Sequence, residues 1–288
     1  MHTYIRNIRQ FVLGGAMLLP LGGLLSPALL AQEEGPPKVL VIQREYLKPG
    51  KGGMLHDRSE SAFVRAFSTG EPNIHYFAMD SLSGPSRALF LSGYDSFAEW
   101  GKELTALAAN KEKTAALDRA SLADGDLLAS YDAVAMMLRP DLSLNKGHIK
   151  GTRFFEISTF LVKPGRMQEF TELAHMYVEA YRKAAPETHW DCFQVMYGSP
   201  TAGVPAGATF VIINTMESLA ETDAGILSDD KFAAALGAEG MKKADELTAA
   251  SIEATSTNLF AINPRMSNPM AEWVKQDPGF WTGPVAGK

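Results

Sequence analysis

The chain of 288 residues contains a single cysteine, Cys192. No intramolecular disulfide can form, and cysteine-based zinc patterns are excluded. Basic residues are also few: 27 Lys and Arg stand against 33 Asp and Glu, for a net charge of −6. Nucleic-acid binding needs a concentrated positive surface, so no nucleic-acid partner is expected. The hydrophobic share of 46% is typical of a globular chain that folds around packed cores.

The common catalytic signatures are missing as well. Nucleophile-elbow, Walker-type and dinucleotide-binding glycine patterns do not occur in the sequence. The stretch Gly50-Lys51-Gly52-Gly53 lacks the Lys-Ser/Thr ending of a phosphate loop and is interpreted as a flexible loop. No His/Glu pair on a helix is predicted either. We therefore expect no metal site, and the sequence identifies no cofactor.

The N-terminal segment has the order of a secretory signal peptide, expected at residues 1–31. Arg6 and Arg9 precede an apolar stretch that ends at Ala31. This stretch could also span a bilayer as an uncleaved anchor, but its prolines and glycines disfavour a long helix. Cleavage after Ala31 removes two basic residues and no acidic one, which changes the net charge from −6 to −8. The sequence thus predicts a periplasmic or secreted protein that is soluble, with no membrane contact after cleavage.

The remainder of the chain is a tandem repeat. Several short matches recur in the same order at offsets of 114 to 124 residues. The paired segments are Lys48-Pro49-Gly50 with Lys163-Pro164-Gly165, His75-Tyr76 with His189-Trp190, Ser96-x-x-Glu99 with Ser218-x-x-Glu221, and Pro140 with Pro264. The segmentation expected from these matches is a first repeat over 32–140, a linker over 141–152, a second repeat over 153–266, and an extended C-terminal tail over 267–288.

Each repeat has the strand and helix order βαββαβ, which is the ferredoxin-like split unit. One such unit leaves one face of its sheet bare, and two units packed face to face cover both. The predicted fold class is therefore α+β, with two tandem ferredoxin-like units forming an intramolecular dimeric α+β barrel. Period-2 alternation separates two faces of each first strand. Leu40 and Ile42, like Phe155 and Ile157, are expected beneath the helices.

The stretch Phe155 to Gly165, which ends in Lys-Pro-Gly, resembles the opening strand of the NIPSNAP family. Tyr94 to Glu99 and Leu138-Arg139-Pro140 are similar to that family's third-strand exit and terminal strand. The family's Glu is present as Glu156, whereas its Arg is replaced by Ser158. The resemblance implies a dimeric α+β barrel, a fold shared with antibiotic-biosynthesis-type monooxygenases and haem-degrading enzymes. It implies little about chemistry, because function depends on the site rather than the fold.

The polar face of the first strands supplies the first candidate site residues. If this face lines the space between the two sheets, Gln43 and Glu45 in one repeat, and Glu156 and Ser158 in the other, are polar groups in a semi-enclosed cavity. A carboxylate there would have its pKa raised by desolvation, which suits a general base or a ligand contact. The alternative is that these groups lie at a wet barrel mouth or pair with an arginine.

The repeated histidines supply the second set. An imidazole can act as a general base or bind a metal or haem iron, although a histidine at a strand start can also simply cap a loop. His189-x-Asp191 places an imidazole and a carboxylate on one strand face, a spacing compatible with metal binding or with a base and its orienting group. The candidate catalytic residues are His189, Glu156 and His75, and the candidate ligand-binding residues are Gln43, Glu45, Ser158, Tyr76, Trp190 and Asp191.

Two classes of function follow from these residues. The first is a NIPSNAP-like binding protein, monomeric or homodimeric, that holds a small, partly apolar molecule in its barrel. The alternative is a cofactor-independent monooxygenase or isomerase that uses His189 or Glu156 as base. A haem-binding or haem-degrading enzyme with His75 or His189 as axial ligand belongs to the same alternative.

Overall fold

The computed structural model of the protein describes residues 35–145, 149–198, 208–226 and 229–282. The predicted signal peptide over 1–31 lies outside the described residues. None of the described helices is both long and apolar enough to cross a membrane.

The first repeat contains four strands and three helices. They are β1 (Val39–Leu47), α1 (Met54–Ser68), β2 (Phe77–Ser81), β3 (Arg87–Tyr94), α2 (Phe97–Ala109), α3 (Lys111–Asp124) and β4 (Leu128–Leu138). The second repeat has the same order. Its elements are β5 (Phe154–Val162), α4 (Met167–Ala184), β6 (Asp191–Tyr197), β7 (Thr209–Met216), α5 (Ala220–Ile226), α6 (Asp229–Ser251) and β8 (Ile252–Ile262). Two short helices follow, α7 (Ala271–Gln276) and α8 (Pro278–Thr282).

The eight strands close into one antiparallel barrel in the order β1-β3-β2-β8-β5-β7-β6-β4. Each repeat contributes four neighbouring strands in the ferredoxin-like arrangement. The two sheets join where Met79 of β2 faces Ile262 of β8 and where Leu138 of β4 faces Phe193 of β6. This closed barrel confirms the predicted fold class, and it removes the sheet edges that an open pair of sheets would expose.

Local sequence signals explain the repeated turns and helix starts. Gly50 and Gly165, which end the two Lys-Pro-Gly turns, have φ of 75° and 76°, a left-handed conformation that favours glycine. Ser96 begins α2 by accepting a hydrogen bond from the Glu99 amide, and the Glu99 carboxylate accepts one from the Asp95 amide. This reciprocal pair is close to a capping box.

The two faces of the first strands are reversed with respect to the sequence prediction. Leu40, Ile42, Phe155 and Ile157 belong to the apolar core inside the barrel and do not lie beneath the helices. The opposite face, which includes Glu45, points outward to the helix layer. Alternation separates two faces but does not say which one turns inward. A narrow barrel is filled by apolar side chains, while polar groups are tolerated in the outer layer when they find partners.

The C-terminal segment covers one end of the barrel. Where an extended tail was expected, it forms α7 and α8. Phe280 and Trp281 pack against the barrel core, and Trp273 stacks on Phe77 with ring centroids 4.1 Å apart. The guanidinium of Arg153 lies 3.9 Å from the centroid of the Phe280 ring. We call this the closed end and the opposite end, where β1 finishes, the open end.

Candidate functional site

A cavity of about 290 Å³ lies inside the barrel at the open end. We call it the open-end cavity. Its apolar floor is formed by inward-facing residues of several strands. They include Ile42, Leu89, Val134, Ile157, Val211 and Phe260. Its polar part is formed by residues nearer the strand ends. They include Arg44, Tyr46, Arg87, Thr159, Thr209, Ser256 and Asn258.

Two arginines give the cavity its charge. Arg44 forms an ion pair with Asp132, but its Nη2 is buried and has no hydrogen-bond partner. Nε of Arg87 is likewise buried without a partner. The guanidinium carbon of Arg87 lies 5.1 Å from the ring centroid of Phe260 and 5.8 Å from that of Tyr46. Within the described residues Arg87 forms no ion pair, so the cavity carries an excess positive charge.

The position of these side chains follows from strand alternation. Arg44 and Tyr46 continue the inward row of β1 that begins with Leu40 and Ile42. Arg87 is on the neighbouring strand β3, directly opposite Tyr46. The row therefore changes from apolar to polar as β1 reaches the open end. The sequence contains this signal, but the prediction that the row lies beneath the helices is wrong, and for that reason Arg44 and Arg87 were not among the predicted site residues.

Hydroxyl and amide groups complete the polar wall. Thr209 is almost fully buried, and its Oγ1 has no hydrogen-bond partner. Nδ2 of Asn258 donates to Oγ of Ser256 over 3.0 Å. The wall therefore contains hydrogen-bond donors without acceptors on the guanidinium groups of Arg44 and Arg87, beside the hydroxyl of Thr209.

The predicted polar face lies outside the cavity. Gln43 is exposed on the outer surface of β1. Glu156 and Ser158 are on the outer face of β5, where Oγ of Ser158 lies 2.8 Å from Oγ1 of Thr257. The expectation that these groups line the barrel interior is wrong, because the inward positions of the same strands are taken by the apolar core.

The histidine regions lie toward the closed end. Nδ1 of His75 is 3.2 Å from the Asn268 carbonyl oxygen. The Tyr76 ring is buried between Phe67 and Phe90. The indole of Trp190 donates to the Leu142 carbonyl over 3.0 Å. These contacts hold the strand starts against the chain segments that follow β8 and β4.

His189 and Glu156 are on opposite sides of the barrel wall. Nε2 of His189 lies 2.7 Å from Oγ1 of Thr215, which pairs with the inward-facing Phe155. Asp191 pairs with Ile213 and is also on the inner face. The structure thus keeps His189 and Asp191 on one face, as the spacing predicts, but it does not bring Glu156 to them.

The residues of the open-end cavity do not fit haem. Its described lining contains no histidine, cysteine or methionine that could bind iron. The phenol of Tyr46 is near Arg87 and is the one axial ligand type present in that lining.

Glu45 belongs to a second polar site, outside the barrel and beneath α1. Nε2 of His56 lies 3.1 Å from Oε2 of Glu45 and 3.8 Å from both Oε1 of Glu60 and Oδ1 of Asp124. All four residues are buried. We call these four residues the acid–histidine cluster. His56 and Glu60 are one turn apart on α1, so the expectation of no His/Glu helix pair is wrong.

Burial dominates the electrostatics of the acid–histidine cluster. It raises the pKa of Glu45, Glu60 and Asp124, and a hydrogen bond with Ser59 opposes the effect at Asp124. Burial alone would lower the pKa of His56, but the hydrogen bond with Glu45 and the nearby carboxylates raise it. The pKa of the Tyr76 hydroxyl is raised by burial and then by the charges of Glu60 and Glu45.

A larger groove of about 830 Å³ lies on the outer surface between α4 and α6. Three of its charged residues have partners of opposite charge. Glu172 pairs with Lys243, Glu179 pairs with Arg182, and Nε2 of His175 lies 3.8 Å from Oδ2 of Asp141. The groove offers no buried group that lacks a partner among the described residues. We therefore regard the open-end cavity as the better candidate for a binding site.

No family model and no curated protein sequence matches the chain. The solved structures that resemble it include the following three proteins. An anthrone oxidase-like protein is 12% identical with a TM-score of 0.50, and the match covers 80% of this chain and 94% of that one. A mutant chlorite dismutase from Candidatus Nitrospira defluvii is 11% identical with a TM-score of 0.45, covering 80% and 93%. A haem-binding protein from Thermus thermophilus is 11% identical with a TM-score of 0.43, covering 82% and 96%.

Sequence identities this low indicate a similar fold and nothing about function. Within that limit the match to the anthrone oxidase-like protein agrees with the topology, since it covers nearly the whole of that chain. Together with the closed eight-stranded barrel, this match identifies the chain as a protein of the dimeric α+β barrel fold.

Proposed function

We propose that this protein is a binding protein whose open-end cavity holds a small, partly apolar anion. The observation that carries the proposal is the guanidinium of Arg87, whose Nε is buried without a hydrogen-bond partner. A buried charged donor without a partner is costly. A carboxylate or a similar anion would supply the missing acceptor.

The distribution of charge favours an anion over a neutral ligand. Asp132 compensates Arg44, so the charge of Arg87 is the one left over at the cavity. Two aromatic rings hold its guanidinium in place, which lowers the entropy cost of binding. Nη2 of Arg44 and Oγ1 of Thr209 offer further donors in the same wall. An anionic group entering between them would meet several donors at once.

The floor of the cavity indicates the rest of the ligand. Ile42, Leu89 and Phe260 form an apolar surface below the arginines. A volume of about 290 Å³ is at the small end of ligand pockets, which start near roughly 300 Å³. The ligand class that fits is a monocarboxylate with a short aromatic or aliphatic body.

We further propose that the protein is a NIPSNAP-like protein that acts outside the cytoplasm. The Lys-Pro-Gly turns and Glu156 support the first part, and the leader-like order of residues 1–31 supports the second. Expression in a bacterial host and mass spectrometry of the periplasmic and medium fractions test export. The expected product begins at Gln32, whereas full-length chain found in the cytoplasm alone would contradict export.

An enzyme that uses proton transfer remains the second candidate. The observation in its favour is that His189 and Asp191 share the inner barrel face beneath the aromatic closed end. In an activity screen with oxidisable aromatic or enolic substrates, His189→Ala should abolish turnover. Glu156→Gln should not, since Glu156 is on the outer face.

Binding is tested with matched acids and amides. Isothermal titration calorimetry with benzoate and benzamide, and with butyrate and butyramide, compares ligands that differ mainly in charge. We expect the acids to bind and the amides to bind at least about 10-fold more weakly, because a hydrogen bond to a charged group contributes roughly 1.5–3 kcal/mol. Arg87→Gln should remove the difference, and the exposed Arg166→Gln should keep it. Equal affinity for acids and amides in the wild-type protein would refute the proposal.

A further inference from the structure

We propose that the acid–histidine cluster is a buried site for one divalent transition-metal ion, such as Zn²⁺ or Mn²⁺. The inference is independent of anion binding, because the cluster lies outside the barrel wall and the open-end cavity lies inside it. Its four ligands would be Glu45, His56, Glu60 and Asp124.

The first support is geometric. Each of the four residues offers one ligand atom, and these atoms all lie within 4.8 Å of one another. Nε2 of His56 faces all three carboxyl groups at 3.1 to 3.8 Å. Donors bound to one zinc ion at about 2.0–2.2 Å lie roughly 3 to 3.6 Å apart. Only small side-chain movements would therefore bring the four donors around a single ion.

The second support is the charge balance. Three carboxyl groups surround one imidazole, and all four residues are at most 7% exposed. Among the described residues, no lysine or arginine forms an ion pair with any of the four, and the three carboxylates pair only with His56. Isolated buried carboxylates are strongly disfavoured unless they are paired or coordinate a metal. A divalent cation would supply the missing positive charge.

The third support is a set of buried polar atoms without hydrogen-bond partners. The two that face the centre of the cluster are Oε1 of Glu60 and Oδ1 of Asp124. The two carboxylate oxygens are the atoms 3.8 Å from Nε2 of His56, which is too far for a hydrogen bond. They point toward the same place and are left unsatisfied there. Native proteins rarely leave such groups unsatisfied unless a water or an ion completes them.

The second repeat shows that the fold does not require this cluster. Glu45 is two residues before the end of β1, and Phe160 is two residues before the end of β5. Phe160 packs on Phe170, in the first turn of α4, with ring centroids 6.1 Å apart. The corresponding place is thus filled by apolar packing in one repeat and by ionisable groups in the other. The acid–histidine cluster is a specific feature of the first repeat.

The donor types define the class of ion. One imidazole nitrogen and three carboxylate oxygens suit Zn²⁺, which binds both donor types, and Mn²⁺, which favours carboxylate oxygens. Ca²⁺ prefers six to eight oxygen ligands and Mg²⁺ keeps several waters, so four buried ligands including a nitrogen disfavour both. With four protein ligands and little exposure, the site is a closed structural one. It would fasten α1 and α3 to β1.

The test is metal analysis of the full chain without an affinity tag. Protein is stripped with a chelator, dialysed against Zn²⁺ or Mn²⁺, freed of excess ion and measured by plasma mass spectrometry. We expect about one ion per chain and a melting temperature at least about 5 °C above that of the stripped protein. Ca²⁺ and Mg²⁺ at the same concentration should produce neither effect.

Two variants and a matched control assign the site. Glu60→Gln keeps the shape of the side chain, and it should lower metal affinity on the order of 100-fold, as should His56→Gln. His175→Gln changes an exposed histidine on α4 and should keep full binding. If a variant fails to fold, the comparison of stripped and loaded wild-type protein still decides. Wild-type protein that retains neither ion, or a His175→Gln protein that loses its ion, would overturn the proposal.

Discussion

Nε2 of His56 lies 3.1 Å from Oε2 of Glu45, so the first turn of α1 is joined to the outer face of β1 by a buried polar contact. In the second repeat the corresponding helix, α4, packs on its sheet through apolar side chains that include Phe160 and Phe170. The packing of α1 on β1 therefore depends on the charges of His56 and of the carboxyl groups around it.

Removing the imidazole should destabilise the protein strongly when no metal is present. In His56→Ala the three carboxyl groups lose their shared partner, and breaking a buried pair costs about 3–5 kcal/mol. Urea denaturation of chelator-treated protein measures this loss. The exposed His175→Ala should change the free energy of unfolding by less than about 0.5 kcal/mol. Equal losses in both variants would contradict the role given to the cluster.

Neutralising Asp132 should strengthen anion binding. Asp132 is the carboxylate that compensates Arg44 at the open-end cavity, and it is partly exposed, so the effect is moderated by solvent. For Asp132→Asn we expect benzoate affinity to rise about 3-fold to 10-fold. Titration calorimetry at low and high salt measures it, with the exposed Asp245→Asn as control. A weaker affinity would mean that Asp132 helps to position Arg44 and that its charge is secondary.

Lys113 should be essential for the junction between α1 and α3. Its Nζ donates to the carbonyl oxygens of Phe67, Gly70 and Pro72, at and beyond the end of α1. Lys113→Met keeps a side chain of similar length but leaves three carbonyl groups without a donor. The substitution should therefore lower the free energy of unfolding by about 2–4 kcal/mol. Thermal or urea unfolding measures the loss. Lys111→Met, in the first turn of the same helix, is the control and should be nearly neutral.

The two ends of the barrel should act independently. Trp281 packs on the barrel core at the closed end, and its truncation in Trp281→Ala should lower the free energy of unfolding by about 1–3 kcal/mol. Benzoate affinity should stay within a factor of about 2 of the wild-type value, because substitutions at distant sites without shared partners have independent effects. A large loss of affinity together with stability would show that α8 also shapes the open-end cavity.

The carboxyl of Glu103 should make stability depend on pH. It accepts a hydrogen bond from the Tyr94 hydroxyl over 2.6 Å, and burial raises its pKa above the ordinary value of 4.5. A raised carboxyl pKa means that the folded state holds the proton more tightly. The stabilisation that the Glu103 carboxyl gives to the folded state is therefore complete below its ordinary pKa. It is lost as the pH rises through the raised pKa. We expect urea denaturation at pH 4, 6 and 8 to show that the free energy of unfolding falls less with pH for Glu103→Gln than for the wild type. The control Glu246→Gln should show the same pH dependence as the wild type.

The barrel could be predicted because its signals are local and repeated. Lys48-Pro49-Gly50 and Lys163-Pro164-Gly165 mark the same turn in both repeats, and Ser96 with Glu99 marks a helix start. A βαββαβ unit has few ways to cover its bare sheet face, so two copies in one chain were enough to predict the closed barrel. Each of these inferences concerns residues that are near one another in sequence.

The sites could not be predicted in the same way. Alternation showed that Ile42 and Glu45 are on opposite faces, but only the closure of the barrel decided which face turned inward. His56 and Glu60 are one turn apart in the sequence, yet Asp124 joins them only because α3 packs beside α1. The sequence by itself determined the repeat, its turns and the barrel. Only the tertiary structure decided which charges are buried together, because that depends on contacts between elements that are distant along the chain.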